Sequence, residues 1–284
     1  MTFIHRSKRG TSESCEVGVA GVARSAAARA VVSVIGLSCG CAHGRPARKR
    51  AVVGGSALAV GVNRNPKPLD ESANWSEHAF DLQYANIRRQ AELNALAHAS
   101  PSFAVMTVCP AFTFGPDDPV GAPANKLVQS IITRKLRFTL PIGFGVLDVR
   151  DFAAGVVLTA ERGRSGQRYL LSGDNVMVNQ LLAQVAEIAG IRAPHFVPPT
   201  SLLRALIGLV ELVGRIRRKP APLTRDVLQI IGRYAWYDTS KARAELGWST
   251  RPLRETLTDT IRWLQNPGPG PAASSAQGQG TAGQ

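Results

Sequence analysis

A chain of 284 residues with 44% hydrophobic content can bury a substantial core, so the composition describes a globular protein. Four cysteines (Cys15, Cys39, Cys41, Cys109) without a paired framework and five scattered histidines exclude a disulfide scaffold and a tetrahedral metal site, and a reducing, cytoplasmic setting fits them best. The net charge of +14 is unevenly placed: residues 1–50 hold nine Lys+Arg against two Asp+Glu, and their single aromatic, Phe3, leaves no basis for a specific nucleic-acid partner.

In chain order, residues 1–48 form an atypical segment with poor periodicity, read as disordered or as a remnant. Its uncharged run "AVVSVIGLSCGCAHG" (30–44) is too short for a membrane span of roughly 20 residues. A secretory leader is disfavoured too, because some thirty residues precede that run and Arg29 abuts it. From residue 49 to 265, short apolar runs alternate with amphipathic stretches. "RAVVGGS" is a buried-type strand running into Ser56. Residues 76–99 are predicted helical, with Phe80, Tyr84, Ile87, Ala91 and Ala95 at helical spacing. "FAVMTVC" (103–109) is a strand ended by Pro110, followed by a helix near 125–134, a strand ending at "VLDV" and a helix from about Arg150. "RYLLSG" is another strand, and 179–189, 201–217 and 223–232 read as helices. Asp238, Thr239 and Ser240 open a further helix, and 253–264 is a last amphipathic one. The tail 266–284 is low-complexity and is expected to be disordered. Strand and helix in alternation predict an α/β fold: an incomplete parallel sheet flanked by helices over 49–160, and a helix-rich lobe over 161–265.

Three side chains could do chemistry together. Tyr84 and Arg88 stand at i and i+4, so phenol and guanidinium share a helical face. A phenol has a reference pKa of ~10, and it serves as a base only when a cation stabilises its anion. Ser56, at a strand end, could bond an oxygen whose charge changes as a carbonyl becomes an alcohol. The same residues read equally as a stacked surface pair and a turn serine, and spacing alone leaves both readings open.

Five segments, "VVGGSALAVG", "YANIRRQAE", "CPAFTFGPDD", "DVRDFAAGVVLTAERGRSGQRYLLSG" and "YDTSKARAELGW", come in the order and approximate spacing of the extended short-chain dehydrogenases/reductases. The likeness over 49–265 is closest to the NAD-dependent epimerase/dehydratase group, notably dihydroflavonol-reductase-like proteins and hopanoid-associated sugar epimerases. The resemblance implies an incomplete Rossmann-type sheet, NAD or NADP as cofactor, and a small-molecule substrate such as a sugar nucleotide or a hydroxy or keto compound. It also implies a homodimer paired through the helix that bears Tyr84. By resemblance Ser56 binds the substrate oxygen and Tyr84 is the acid/base, while Arg88 replaces the family lysine. Cys109 and Pro110 lie along the nicotinamide, and Asp148 and Asp151 occupy the positions of a histidine and an aspartate in the family's HVDDVA motif. Arg89 reads as a solvated charge. Arginine keeps the lysine's charge but presents a wider fork and does not release a proton, so impaired activity is expected.

The front half departs from the family. A dinucleotide fold opens with a strand and a glycine turn at a helix N-terminus, well before the catalytic serine. "VGVAGVARSAAARAVV" echoes that turn, with Gly18 and Gly21 as cofactor-binding candidates and Arg24 where the third glycine belongs. The alternative is a truncated, non-catalytic homologue whose first 48 residues are unrelated sequence. The apolar "SLLRALIGLVELVG" reads as core packing, as a wall of an apolar substrate pocket or as a membrane-surface contact.

Overall fold

Three apolar runs rich in β-branched residues build the centre of the molecule. The computed structural model describes residues 15–20, 34–39, 49–75, 82–118, 121–199, 201–203, 205, 207–209 and 226–266. β3 (Lys49–Gly54), β4 (Phe103–Pro110) and β7 (Arg168–Leu171) lie side by side and parallel, Val53 beside Thr107 and Cys109 beside Leu170. Their side chains are buried almost continuously, as a sheet covered on both faces requires. Ala104, Met106 and Val108 project to one face, where α3 (Val149–Arg162) and α6 (Ser240–Leu246) cover them with Val156, Ala160, Ala242 and Leu246. Thr107 and Cys109 project to the opposite face, beneath α1 (Gln83–Leu96).

The front of the chain adds an antiparallel pair to this sheet. β1 (Cys15–Ala20) pairs with β2 (Val34–Cys39), and β2 pairs antiparallel with β3, giving the order β1-β2-β3-β4-β7. Within the segment read as disordered or as a remnant, "CEVGVA" and "VIGLSC" are apolar runs of strand length and form this pair. The expected tail over 266–284 lies outside the described residues beyond position 266.

A second, smaller sheet sits at the C-terminal ends of the parallel strands. β6 (Gly143–Asp148) pairs in parallel with β5 (Phe112–Phe114) and with β9 (Tyr234–Ala235), and antiparallel with β8 (Asn175–Met177). The amphipathic helices α2 (Pro123–Ile132), α4 (Val178–Ile188) and α7 (Leu253–Gln265) pack on it through Val128, Ile131, Leu181, Leu182, Val185, Leu257 and Ile261. Residues 201–203, 205 and 207–209 are helical, as is α5 (Asp226–Ile230), within the two stretches predicted as helix. β5, β8 and β9 are too short to show a period in the sequence, and their pairing to β6 is a tertiary outcome.

Candidate active site

β3 ends at Gly54, and Ser56 follows as an extended residue ahead of a single 3₁₀ turn, Ala57–Ala59. Ser56 is buried, and its hydroxyl does not cap that turn. The Gly55 amide donates to the Val108 carbonyl at 2.8 Å, which fixes the strand end against β4. A Cβ at Gly55 would meet the Cys109 sulfur at 2.8 Å, so the absence of a side chain there leaves room for this thiol.

The first turn of α1 rests on the segment that follows Ser56. Ala85 is buried in a cluster with Val62, packed by Leu58, Trp75 and Leu82. This contact brings the Tyr84 turn to the end of the sheet where Ser56 lies. Tyr84 itself is 46% exposed, and the Arg88 guanidinium carbon stands 5.2 Å from its ring centroid, a cation–π distance. The pair foreseen from the i,i+4 spacing is thus formed, with the cation over the ring face. Arg89, read from sequence as a solvated charge, stacks 5.0 Å from the Trp75 ring centroid; burial, and next the nearby Arg168, lower its pKa. This corrects the solvated reading: an aromatic plane covers the guanidinium.

The face that α1 turns to the sheet is not the one predicted. Ala85 and Glu92 are its buried residues, rather than the stripe through Tyr84, Ile87 and Ala95. Glu92 is 1% exposed, and its Oε1 accepts from the Thr107 hydroxyl at 2.8 Å, from the Cys109 thiol at 3.5 Å and from Arg168 Nε at 2.5 Å. Its Oε2 is buried with no hydrogen-bond partner among the described residues. Burial works against the charge of Arg168, but the Glu92 carboxylate outweighs it and raises the arginine's pKa. Sequence reasoning missed this anchor, although its signal is present: Tyr84, Arg88 and Glu92 follow one another at intervals of four.

Cys109, expected along the nicotinamide, turns its thiol inward to Glu92 and Gly55 and is wholly buried. Burial, then the Glu92 carboxylate, push that thiol well above its ordinary range, so it stays protonated. The alternation along β4 sets this direction, since Thr107 and Cys109 share the α1 face. Pro110 closes β4 opposite Leu171. Gly18 lies in mid-strand, paired with Gly36 on β2, which corrects its placement in a turn: β1 continues through it to Ala20. Gly21 and Arg24 lie outside the described residues.

Asp148 and Asp151 are structural. Asp148 caps α3 by accepting from the Arg150 amide, and it is held by Arg150 at 2.8 Å and Arg251 at 3.1 Å. Asp151 accepts from the Arg251 amide at 2.8 Å and meets its guanidinium at 3.2 Å. Arg150 also reaches Asp259 on α7 at 2.8 Å, so the motif ties α3 to the last helix. Among the described residues no cluster of His, Cys, Asp or Glu could hold a metal ion, and no helix is long and apolar enough to cross a membrane.

Comparison with known proteins agrees with this geometry. No protein-family model matches the chain. It is 30% identical over 250 residues to the 4-hydroxy-2-methyl-3-oxo-4-farnesyl-3,4-dihydroquinoline-1-oxide ketoreductase of Stigmatella aurantiaca, covering 86% of this chain and 72% of the relative. A Synechocystis sp. protein that carries the name of a dihydroflavonol 4-reductase is 29% identical over 225 residues, covering 78% of this chain and 65% of the relative. Among solved structures, a nucleoside-diphosphate-sugar epimerase from Pseudomonas aeruginosa superposes with a TM-score of 0.61 at 26% identity, covering 76% of this chain and 67% of that one. The chain thus spans about two thirds of the length of these relatives. Sequence identity and superposition agree that the chain belongs to the extended short-chain dehydrogenases/reductases, in the NAD-dependent epimerase/dehydratase family.

Proposed function

We propose that this chain is an NAD(P)-dependent oxidoreductase or epimerase acting at a carbinol or keto carbon of a small molecule, with Tyr84 exchanging the proton, Ser56 holding the substrate oxygen and Arg88 supplying the positive field. The observation that carries the reading is the Arg88 guanidinium 5.2 Å from the Tyr84 ring, on a helix turn that rests on the segment following Ser56. The nicotinamide would supply or accept the hydride. Ser56, whose hydroxyl is not used as a cap, orients the oxygen so that charge developing on it meets a hydrogen-bond donor. Tyr84, half exposed, exchanges its proton with that oxygen and with solvent. Arg88 keeps a permanent charge beside the ring and passes no proton on, so turnover is slow.

Ser56 and Tyr84 are the residues at this end of the sheet that would face a nicotinamide and its ribose, since the turn that bears Tyr84 rests on the segment following Ser56. Gly18, in a strand of an antiparallel pair, does not form a pyrophosphate turn, so groups other than Gly18 would have to hold the phosphates. The sheet that carries β3, β4 and β7 forms the cofactor half and the smaller sheet around β6 sets the substrate, a division that cuts across residue 160 because β7 and α6 return to the first sheet; two copies pair through α1, and the protein works in the cytoplasm.

Calorimetric titration with NAD+ and NADP+ tests the reading. Binding of one of them in the micromolar range is expected, unchanged in Tyr84→Phe, while Tyr84→Phe lowers turnover by at least about a hundredfold. Arg88→Lys is expected to raise turnover. A second reading, a non-catalytic homologue, is favoured by the position of Gly18 and by the cation lying over the ring face. Absence of binding by a folded sample would establish it and remove the enzyme.

A further inference from the structure

The helical residues between 201 and 209 carry apolar side chains on both faces. Leu203 and Ile207, one turn apart, are buried, whereas Leu202 is 45% exposed and Leu209 57% exposed, with exposed Ala205 between them. A helix with an apolar outward face calls for an apolar surrounding on that side as well. Just ahead of it, Phe196 is 54% exposed and Val197 51%. These four make up half of the exposed large hydrophobics among the described residues, and they fall within fourteen positions of the chain.

Charge gathers beside Phe196. Arg134 and Lys135 follow the end of α2, with Arg137 close behind, and Arg192 precedes Phe196; all four are exposed and none is ion-paired among the described residues. Arg134, Arg137, Arg192 and His195 line a cavity of about 620 Å³ with Phe196 at its wall, wide enough for a phosphate-bearing headgroup.

Exposed apolar side chains bordered by unpaired arginines are the chemistry of a monotopic membrane contact: the apolar groups enter the acyl boundary and the cations meet anionic headgroups. We propose that this face, formed by Phe196, Val197, Leu202 and Leu209 with Arg134, Arg137 and Arg192, docks the protein on an anionic lipid surface. Charge complementarity selects a membrane over a second copy of the chain, since two such faces would bring their arginines together. The proposal is independent of catalysis and stands on its own test.

The full chain is sedimented with vesicles of phosphatidylcholine alone and of phosphatidylcholine with 30% phosphatidylglycerol. Binding to the anionic vesicles is expected at low salt, weakened by 0.5 M NaCl, with at least tenfold less partitioning to neutral vesicles. Leu202→Asp with Leu209→Asp should abolish binding, and Arg134→Glu with Arg137→Glu should lower it at least tenfold. Both pairs are exposed, so circular dichroism should show unchanged folding. Equal binding to both vesicles, binding that survives both double substitutions, or competition by free inorganic phosphate at constant ionic strength would overturn the proposal. So would a dimer that Leu202→Asp with Leu209→Asp dissociates, because a second copy would then cover the face.

Discussion

Glu92 shows how a single side chain can carry a helix. α1 presents only Ala85 and Glu92 to the interior, so apolar burial contributes little to holding it, and the contact between Glu92 and Arg168 does the anchoring. The arginine side chain is 13% exposed and the glutamate 0%, so both charges are desolvated and each depends on the other. Breaking a buried pair from one side leaves an uncompensated charge, at a cost of about 3–5 kcal/mol. Glu92→Leu is therefore expected to lose on the order of 3 kcal/mol in urea denaturation, and adding Arg168→Met should restore a large part of it. If the double variant is no more stable than the single one, the ion pair is not what anchors α1.

At the scale of elements, the start of α3 gathers the most charge. Asp148 caps the helix, where the macrodipole already favours a carboxylate, and Arg150 and Arg251 close over it. Burial opposes ionisation of Asp148, but hydrogen bonds from the side chain and backbone of Arg150 outweigh it and hold its pKa below the ordinary value. The folded state thus favours the ionised form. Its stabilisation is complete above the unfolded carboxylate pKa of about 3.9 and is lost as pH falls through the lower folded value. Urea midpoints measured from pH 7 down to about pH 2 should fall below about pH 4, and the fall should be smaller in Asp148→Asn. Equal acid sensitivity in the two proteins would place the titrating group elsewhere.

The whole molecule is held together where its two sheets meet. At Gly145, β6 passes over the end of β7: a Cβ there would lie 2.0 Å from the Ser172 hydroxyl and 3.3 Å from the Ala111 side chain. Gly145→Ala must displace the Ser172 hydroxyl and crowd Asn175 and Ala111, and overpacking of this kind costs about 1–3 kcal/mol, to be read as a lower midpoint in thermal unfolding. Ser172→Gly in the same chain should recover part of the loss. The Arg150–Asp259 and Arg251–Asp148 pairs span the same junction, so the clash and the ion pairs act on one boundary.

The sequence alone determined the alternation of strand and helix, the three parallel strands, the pairing of Tyr84 with Arg88 and the family, because these rest on local periods and on residue spacings along one helix or strand. The helix start signal at Asp238 was legible for the same reason, its side chain accepting from a residue two positions on. The packed chain alone decided which face of α1 turns inward, the direction of Cys109, the antiparallel β1–β2 pair through Gly18 and the short strands beside β6. Those depend on partners remote in sequence: Glu92 meets Arg168 76 positions away, and no window short enough to show a period contains both.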